Sequence, residues 1–240
     1  MNNQKAEKTH YSNNDTLSVR SVFKSIQGEG PFVGEPCVFV RLAGCNLRCP
    51  GCDTDYTSGR RTVDVYELYK EVKALAGELR LVVLTGGEPM RQDIAPLVYD
   101  LIDGGFRVQV ETNGTIVAPG LPWGDAEFSV VCSPKTSEVD RTVISLAKAV
   151  KYVVRAGDLS EEDGLPLFGF GARLPCGQPP KVQKRIALPP PKMPNRYIYL
   201  QPEDAKDPTL NQANLKAAMD SCLRFGYRLS LQIHKIIGVE

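Results

Sequence analysis

Cys45, Cys49 and Cys52 set three thiols at a three-then-two spacing inside one short stretch, Cys45-Asn46-Leu47-Arg48-Cys49-Pro50-Gly51-Cys52, with no fourth cysteine or histidine beside them. Thiolates are soft donors that suit iron–sulfur clusters and zinc far better than magnesium or calcium. A structural zinc site is closed by four ligands, whereas a 4Fe–4S cubane held by three thiolates keeps one iron open to a reacting molecule. Zinc would need a fourth donor from Cys37, Cys132, Cys176 or Cys222, all isolated, or from His10 or His234, the two histidines of the chain. Zinc patterns usually pair two close doublets, and no second doublet is present. A disulfide scaffold fits less well, since seven cysteines in 240 residues is an odd number in a long chain. No charged-then-apolar targeting stretch opens the sequence, so a reducing, cytoplasmic setting is expected.

Further motifs follow one another along the chain: Gln27-Gly28-Glu29-Gly30, Arg41-Leu42-Ala43-Gly44-Cys45, Cys52-Asp53-Thr54-Asp55 and Thr85-Gly86-Gly87-Glu88-Pro89-Met90. After them come Glu111-Thr112-Asn113-Gly114, Ser133-Pro134-Lys135, Leu200-Gln201-Pro202 and Arg228-Leu229-Ser230-Leu231-Gln232-Ile233-His234-Lys235. The C-x-x-x-C-x-x-C run followed by Gly-Gly-Glu-Pro resembles the radical S-adenosylmethionine (SAM) enzymes. The whole ordered set, from about residue 18 onward, resembles the 7-carboxy-7-deazaguanine synthases of that superfamily.

The resemblance implies that Cys45, Cys49 and Cys52 hold one 4Fe–4S cluster, with SAM chelating the open iron. Reductive cleavage of the sulfonium would then give a 5′-deoxyadenosyl radical that takes hydrogen from substrate. In such a scheme the cofactor performs the difficult step and the protein orients and excludes water, so no catalytic side chain is expected beyond the cluster and the SAM radical. SAM contacts are implied for Gly51, Cys52, Asp53, Gly87, Ser133, Pro134, Lys135, Gln201, Pro202, Glu203 and Asp204. Each has an ordinary alternative: a strand-to-helix turn at Gly87, a loop cap at Asp53, simple turns at Ser133-Pro134 and Gln201-Pro202.

The implied substrate is 6-carboxy-5,6,7,8-tetrahydropterin, lined by Ile26, Gln27, Gly28, Arg41 and Thr85, with Glu29, Glu111 and His234 on the same face. The planar fork of Arg41 suits a carboxylate. Residue type alone would place a magnesium ion on Asp53 or Asp55, but the resemblance places it on Thr54. One hydroxyl ligand is acceptable where substrate oxygens and waters complete the shell. The implied reaction starts at C6, contracts the ring, expels ammonia, leaves 7-carboxy-7-deazaguanine for queuosine and related deazapurines, and regenerates SAM. A homodimer and an electron donor such as flavodoxin or ferredoxin are also implied.

The elements that must position these residues show a β/α alternation. Leu17–Ile26 and Cys37–Ala43 are short apolar runs bounded by glycine and proline, as strands are. Val65, Leu68, Tyr69, Val72, Leu75, Ala76 and Leu79 share one helical face, as do Ile94, Leu97, Val98, Leu101 and Ile102, with Gly104 suited to end the second helix. Strands are predicted at Leu81–Leu84, Phe106–Val110, Phe128–Val131, Tyr152–Val154, Tyr197–Leu200 and Leu229–Ile233, and helices over 139–150 and 210–225. Every polar motif follows the C-terminal end of a predicted strand, the face on which parallel β/α barrels build their sites. The expected fold is α/β, an incomplete TIM-like barrel of the radical SAM type.

Residues 17–240 are expected to form a single domain, after a polar, disordered tail at 1–16. The stretch 156–195 is dense in proline and glycine, including Pro189-Pro190-Pro191, and is read as an irregular connection where the family has a crossover helix. With 29 basic and 28 acidic residues the formal charge is +1, which argues against direct nucleic-acid or anionic-membrane partners. No apolar run reaches the roughly 18 residues of a membrane span. Two other functions stay open on sequence: a glycyl-radical enzyme activase, which shares the cysteine spacing and acts on a protein partner, and a non-catalytic zinc-binding module.

Overall fold

Strand parity decides which side chains reach the site. The computed structural model describes residues 4–11, 15–169 and 184–239. Nine strands run in chain order as β1 (Thr16–Ile26), β2 (Pro36–Leu42), β3 (Arg61–Asp64), β4 (Leu81–Gly86), β5 (Arg107–Thr112), β6 (Phe128–Cys132), β7 (Ala149–Val154), β8 (Ile198–Pro202) and β9 (Arg228–Leu229). They form one open sheet in the order β3-β1-β2-β4-β5-β6-β7-β8-β9. β1 is antiparallel to β2 and β3, and every pairing from β2 to β9 is parallel. The helices α1 (Val65–Ala76), α2 (Ala95–Asp103), α3 (Arg141–Leu146) and α4 (Pro208–Phe225) lie in the crossovers, and α5 (Ile233–Ile237) closes the chain. The result is the expected incomplete β/α barrel.

Even-numbered strand residues, among them Val38, Val40, Leu42, Val82, Leu84, Val108, Val110 and Val130, pack against Leu68, Val72, Leu97, Val98 and Leu101 in one core beneath the helices. Successive strand residues point to opposite faces, so the odd-numbered ones face inward. Near the strand starts these are apolar: Cys37, Leu81 and Val83 cluster with Phe39. Toward the C-terminal ends the same face carries Arg41, Thr85, Glu111 and Gln201, and mid-strand in β7 it carries Lys151. The registers set Arg41 level with Thr85 and Glu111 level with Val131 and Ala149, while Lys151 pairs with Tyr199 and Val153 with Gln201 in successive steps along β7 and β8.

Several elements depart from expectation. The predicted strand Leu229–Ile233 is only two residues long, and Gln232-Ile233-His234-Lys235 opens α5 instead. After Ser230 N donates to Leu200 O (2.8 Å), Ile233 N turns to Gly28 O (3.2 Å), which draws the chain across the strand ends. The helix predicted over 139–150 is confined to Arg141–Leu146, because Ala149 and Val150 are needed as buried strand residues of β7. The edge strand β3 was not predicted. Its last residue, Asp64, caps α1 by accepting from Tyr66 N (2.9 Å) and Glu67 N (3.2 Å), a contact worth about 1 kcal/mol.

The polar stretch expected as a disordered tail contains a segment, 4–11, that is bound along the cysteine loop. The Gln4 side chain donates to Thr54 O (2.8 Å) and accepts from Tyr56 N (2.7 Å), while Glu7 N donates to Cys45 O (2.7 Å). Arg91 donates to Lys8 O (2.8 Å) and accepts, through its own carbonyl, from His10 N (2.8 Å). Polar pairing holds this segment, so no apolar period marks it in sequence. Between β7 and β8 the described residues contain one short 3-10 turn, Asn195–Tyr197, and no α-helix. Cys176 and positions 170–183 of the proline-rich stretch lie outside the described residues. No described helix is long and apolar enough to cross a membrane.

Candidate active site

A cavity of about 430 Å³ opens at the C-terminal ends of the parallel strands, within the range of small-molecule sites. One wall is the loop after β2. There Cys45, Cys49 and Cys52 gather with Leu47 and Tyr56 in a small apolar cluster. Cys45 Sγ accepts from Leu47 N (3.4 Å), and Cys52 N closes a turn on Cys49 O (3.2 Å). Among the described residues, no three His, Cys, Asp or Glu side chains are grouped to hold a single metal ion.

The loop after β4 presses on the cysteine loop. A β-carbon on Gly86 would lie 2.1 Å from Leu42 O, and one on Gly87 would lie 2.0 Å from Gly44 O. Gly86 also has φ +124°, which side chains rarely adopt. Gly87 N donates to Leu42 O (3.2 Å) and Glu88 N to Gly44 O (3.0 Å). Only glycine permits this approach, so Gly87 has a structural reason besides any contact with SAM. Glu88, fully buried, accepts from Met90 N (3.0 Å), Thr112 Oγ1 (2.7 Å) and Asn113 N (2.7 Å). Asn113 then donates to Asn46 Oδ1 (2.9 Å). Burial pushes the Glu88 carboxyl up to about 7 against the pull of these bonds. In sequence Glu88 stands only within the Gly-Gly-Glu-Pro motif, and its place between a glycine and a proline is the signal there.

The expected SAM segments border the same mouth. Lys135 donates to Ser133 Oγ (2.5 Å), and its pKa is lowered by burial and by repulsion from Lys151. Gln201 Oε1 is buried without a hydrogen-bond partner. Arg155 pairs with both oxygens of Glu203 through Nε and Nη2. Lys235 donates to Asp53 (3.1 Å) and to Asp204 (3.0 Å), stapling the cysteine loop to the loop after β8. Hydrogen bonds from Lys235, Lys206 N and Asn211 hold Asp204 down to about 2. Thr54 lines the cavity between these groups.

The opposite wall is a polar floor. Glu111 accepts from Gln27 Nε2 (3.0 Å), Thr85 Oγ1 (3.1 Å) and Gln109 Nε2 (3.2 Å). Glu29 accepts from Gln232 Nε2 (2.9 Å) and pairs with Lys151. Arg41 lines the cavity with its guanidinium 5.0 Å from the Phe23 ring centre. His234 also lines it, packed on Gly28, where a β-carbon would meet Nδ1 at 2.2 Å. Of the residues expected in the site, Ile26, Gly28, Pro134 and Pro202 do not line the cavity, and the others do. Lys151, Gln232 and Lys235 were missed as site residues; Lys151 sits in an apolar strand where a lysine is costly to bury, and that was its signal.

The donor set fits an iron–sulfur cluster. Burial raises all three thiols, Cys49 to about 11, so only a strongly charged partner would hold them as thiolates. The glycine approach and the orphaned Gln201 oxygen leave polar backbone and an acceptor toward a ligand beside them.

Residues 40–127 match the Radical SAM superfamily model. The 7-carboxy-7-deazaguanine synthase of Rhodospirillum rubrum is 43% identical over 94% of this chain and 93% of its own length. The proteins of the same name from Rickettsia prowazekii and Escherichia coli K12 are 37% and 30% identical, over 93% and 92% of this chain and 89% and 98% of theirs. The crystal structure of QueE from Escherichia coli superposes with a TM-score of 0.63 at 24% identity, covering 90% of this chain and 93% of that one, and so shares the fold.

Proposed function

Because the chain belongs to the 7-carboxy-7-deazaguanine synthase family of radical SAM enzymes, we propose that it converts 6-carboxy-5,6,7,8-tetrahydropterin to 7-carboxy-7-deazaguanine with loss of ammonia. Membership makes it a radical SAM lyase that uses a 4Fe–4S cluster and SAM. It also weighs against the activase and zinc-module readings. The observation that carries the substrate reading is the polar floor: one arginine and two carboxylates face the cysteine loop across a single cavity. A carboxylated pterin offers one carboxylate and a row of N–H donors, which is the complementary set.

In this reading Cys45, Cys49 and Cys52 hold the cluster, which with SAM supplies a carbon-centred radical able to take hydrogen from an unactivated position. Gly51, Asp53, Gly87, Ser133, Lys135, Gln201, Glu203 and Asp204 shape the SAM side, with Pro134 and Pro202 turning the backbone. Arg41 receives the substrate carboxylate through its fork. Glu29 and Glu111 accept N–H groups of the pterin, Gln27 and Thr85 fix Glu111, and His234 covers the edge near Gly28. Ile26 and Gly28 act through backbone position only. Thr54, which lines the cavity, would offer its hydroxyl to a magnesium ion, a hard cation that takes oxygen ligands. The chain from β1 onward, with the bound segment 4–11, forms the catalytic domain, a reduced flavodoxin or ferredoxin supplies the electron, and two copies associate.

Metal analysis and product identification test this together. About four irons per chain in a brown protein, with magnesium-stimulated formation of 7-carboxy-7-deazaguanine, is the expected result. A colourless protein with one zinc per chain would refute it.

A further inference from the structure

The floor of the cavity holds a cation to which the reaction above gives no role. Lys151 projects from the middle of β7 with its side chain 11% exposed, and its ammonium pairs with Glu29, itself 12% exposed. Removing two charges from water is costly, and removing only one member of such a pair is more so. An apolar residue would serve the packing of β7 as well, since the strand's pairing to β6 and β8 is backbone. The pair therefore calls for a purpose other than holding the sheet.

Its connections supply one. The second oxygen of Glu29 accepts from Gln232 Nε2 (2.9 Å), and the backbone N of Glu29 donates to Gln27 Oε1 (3.1 Å). Gln27 Nε2 donates to Glu111 Oε1 (3.0 Å), whose other oxygen accepts from Thr85 (3.1 Å). Lys151 thus anchors one end of a chain of contacts that spans the floor and presents both carboxylates to the cavity. The amino-pyrimidine edge of a pterin carries adjacent N–H donors, which a carboxylate receives only if it is ionised and held at a fixed angle.

We infer that Lys151 is a positioning residue: it fixes Glu29 as an ionised carboxylate aimed at the N–H edge of the pterin, and so sets substrate affinity rather than radical formation. The inference rests on the pterin reading of the site. The charges around Glu29 support it. Burial alone would raise its pKa, but Lys151 outweighs burial, with help from Gln232 and His234, and holds it below the ordinary value. Lys135 also faces Glu29, while Glu111 and Asp53 face Lys151. Without the Lys151 ammonium, burial dominates and the Glu29 carboxyl moves upward.

The test compares reconstituted wild type, Lys151→Met and Lys151→Arg. KM and kcat are measured with 6-carboxytetrahydropterin, and Kd with oxidised 6-carboxypterin in the presence of SAM, between pH 6 and 8. Iron content and the SAM-induced change in the reduced-cluster spectrum report on the rest of the site. For Lys151→Met, KM and Kd should both rise at least about tenfold, with kcat within about threefold, as expected for a lost charge-assisted contact. The loss should grow as pH falls from 8 to 6, where wild type stays flat, and Lys151→Arg should recover most of it. Unchanged KM with a flat pH profile would overturn the inference while leaving the substrate reading intact. So would loss of iron and of the SAM-induced spectrum, which would make Lys151 a structural residue. Wild type that binds neither pterin would overturn the substrate reading, and the inference with it.

Discussion

Replacing Gly87 by alanine tests whether the cysteine loop and the loop after β4 are locked at one spacing. The added β-carbon would lie 2.0 Å from Gly44 O, 2.5 Å from the carbonyl carbon and 3.0 Å from Cys45 Cβ. Ordinary contact begins at 3.4 Å, so the two loops must part by more than about 1 Å, and neither backbone obstacle can swing aside. Overpacking of this kind costs about 1–3 kcal/mol, which for a chain of this size lowers Tm by roughly 2–12 °C. A shift of about 1 Å at the reacting centre costs on the order of 100-fold in rate. Gly124→Ala is the control, since nothing lies within 4 Å of its β-carbon. Iron per chain after anaerobic reconstitution, Tm and SAM cleavage are measured for both. Gly87→Ala should lose iron, melt lower and cleave SAM slowly, while Gly124→Ala should match wild type. Wild-type iron, a Tm within about 1 °C and a rate within about threefold for Gly87→Ala would refute the reasoning.

Three further outcomes follow from the geometry. The raised Glu88 carboxyl binds its proton in the folded chain up to about 7 but in the unfolded chain only below about 4.5, so stability falls as pH rises between those values and is flat above; urea unfolding of the metal-free chain at pH 5.5 and 8 should show wild type losing about 2 kcal/mol more than Glu88→Gln, and equal losses would contradict this. Gln4→Ala removes the bonds to Thr54 O and Tyr56 N, each worth about 1 kcal/mol; iron release to a chelator should quicken about three- to tenfold, and an unchanged rate would mean the N-terminal segment does not brace the loop. Arg41→Lys keeps the charge but not the fork; KM for the pterin should rise about tenfold with pterin-independent SAM cleavage unaffected, and a parallel loss of both would place Arg41 outside the substrate site.

What the sequence made legible was whatever depends on period and on strand ends. Alternation in Val38, Val40 and Leu42, and again in Val82 and Leu84, set the core face, which left Arg41, Thr85 and Glu111 facing inward. The helical period marked α1 and α2. What stayed hidden depends on pairing between distant polar groups. β3 is a four-residue edge strand that packs a single apolar side chain, Val63, on the core. Segment 4–11 is held by side-chain amides and backbone donors, which leave no pattern. Leu231 and Ile233 read as the end of a strand until Gly28 O captures Ile233 N and α5 begins. Lys151, Gln232 and Lys235 acquire meaning only when the fold sets Glu29, Asp53 and Asp204 opposite them.

The most direct test of the account is turnover of the anaerobically reconstituted protein with SAM, dithionite, magnesium and 6-carboxytetrahydropterin, followed by mass spectrometry of the products. The account predicts 7-carboxy-7-deazaguanine formed many times per SAM consumed. 5′-Deoxyadenosine accumulating beside an unchanged pterin would leave the radical chemistry standing and contradict the substrate site built from Arg41, Glu29 and Glu111.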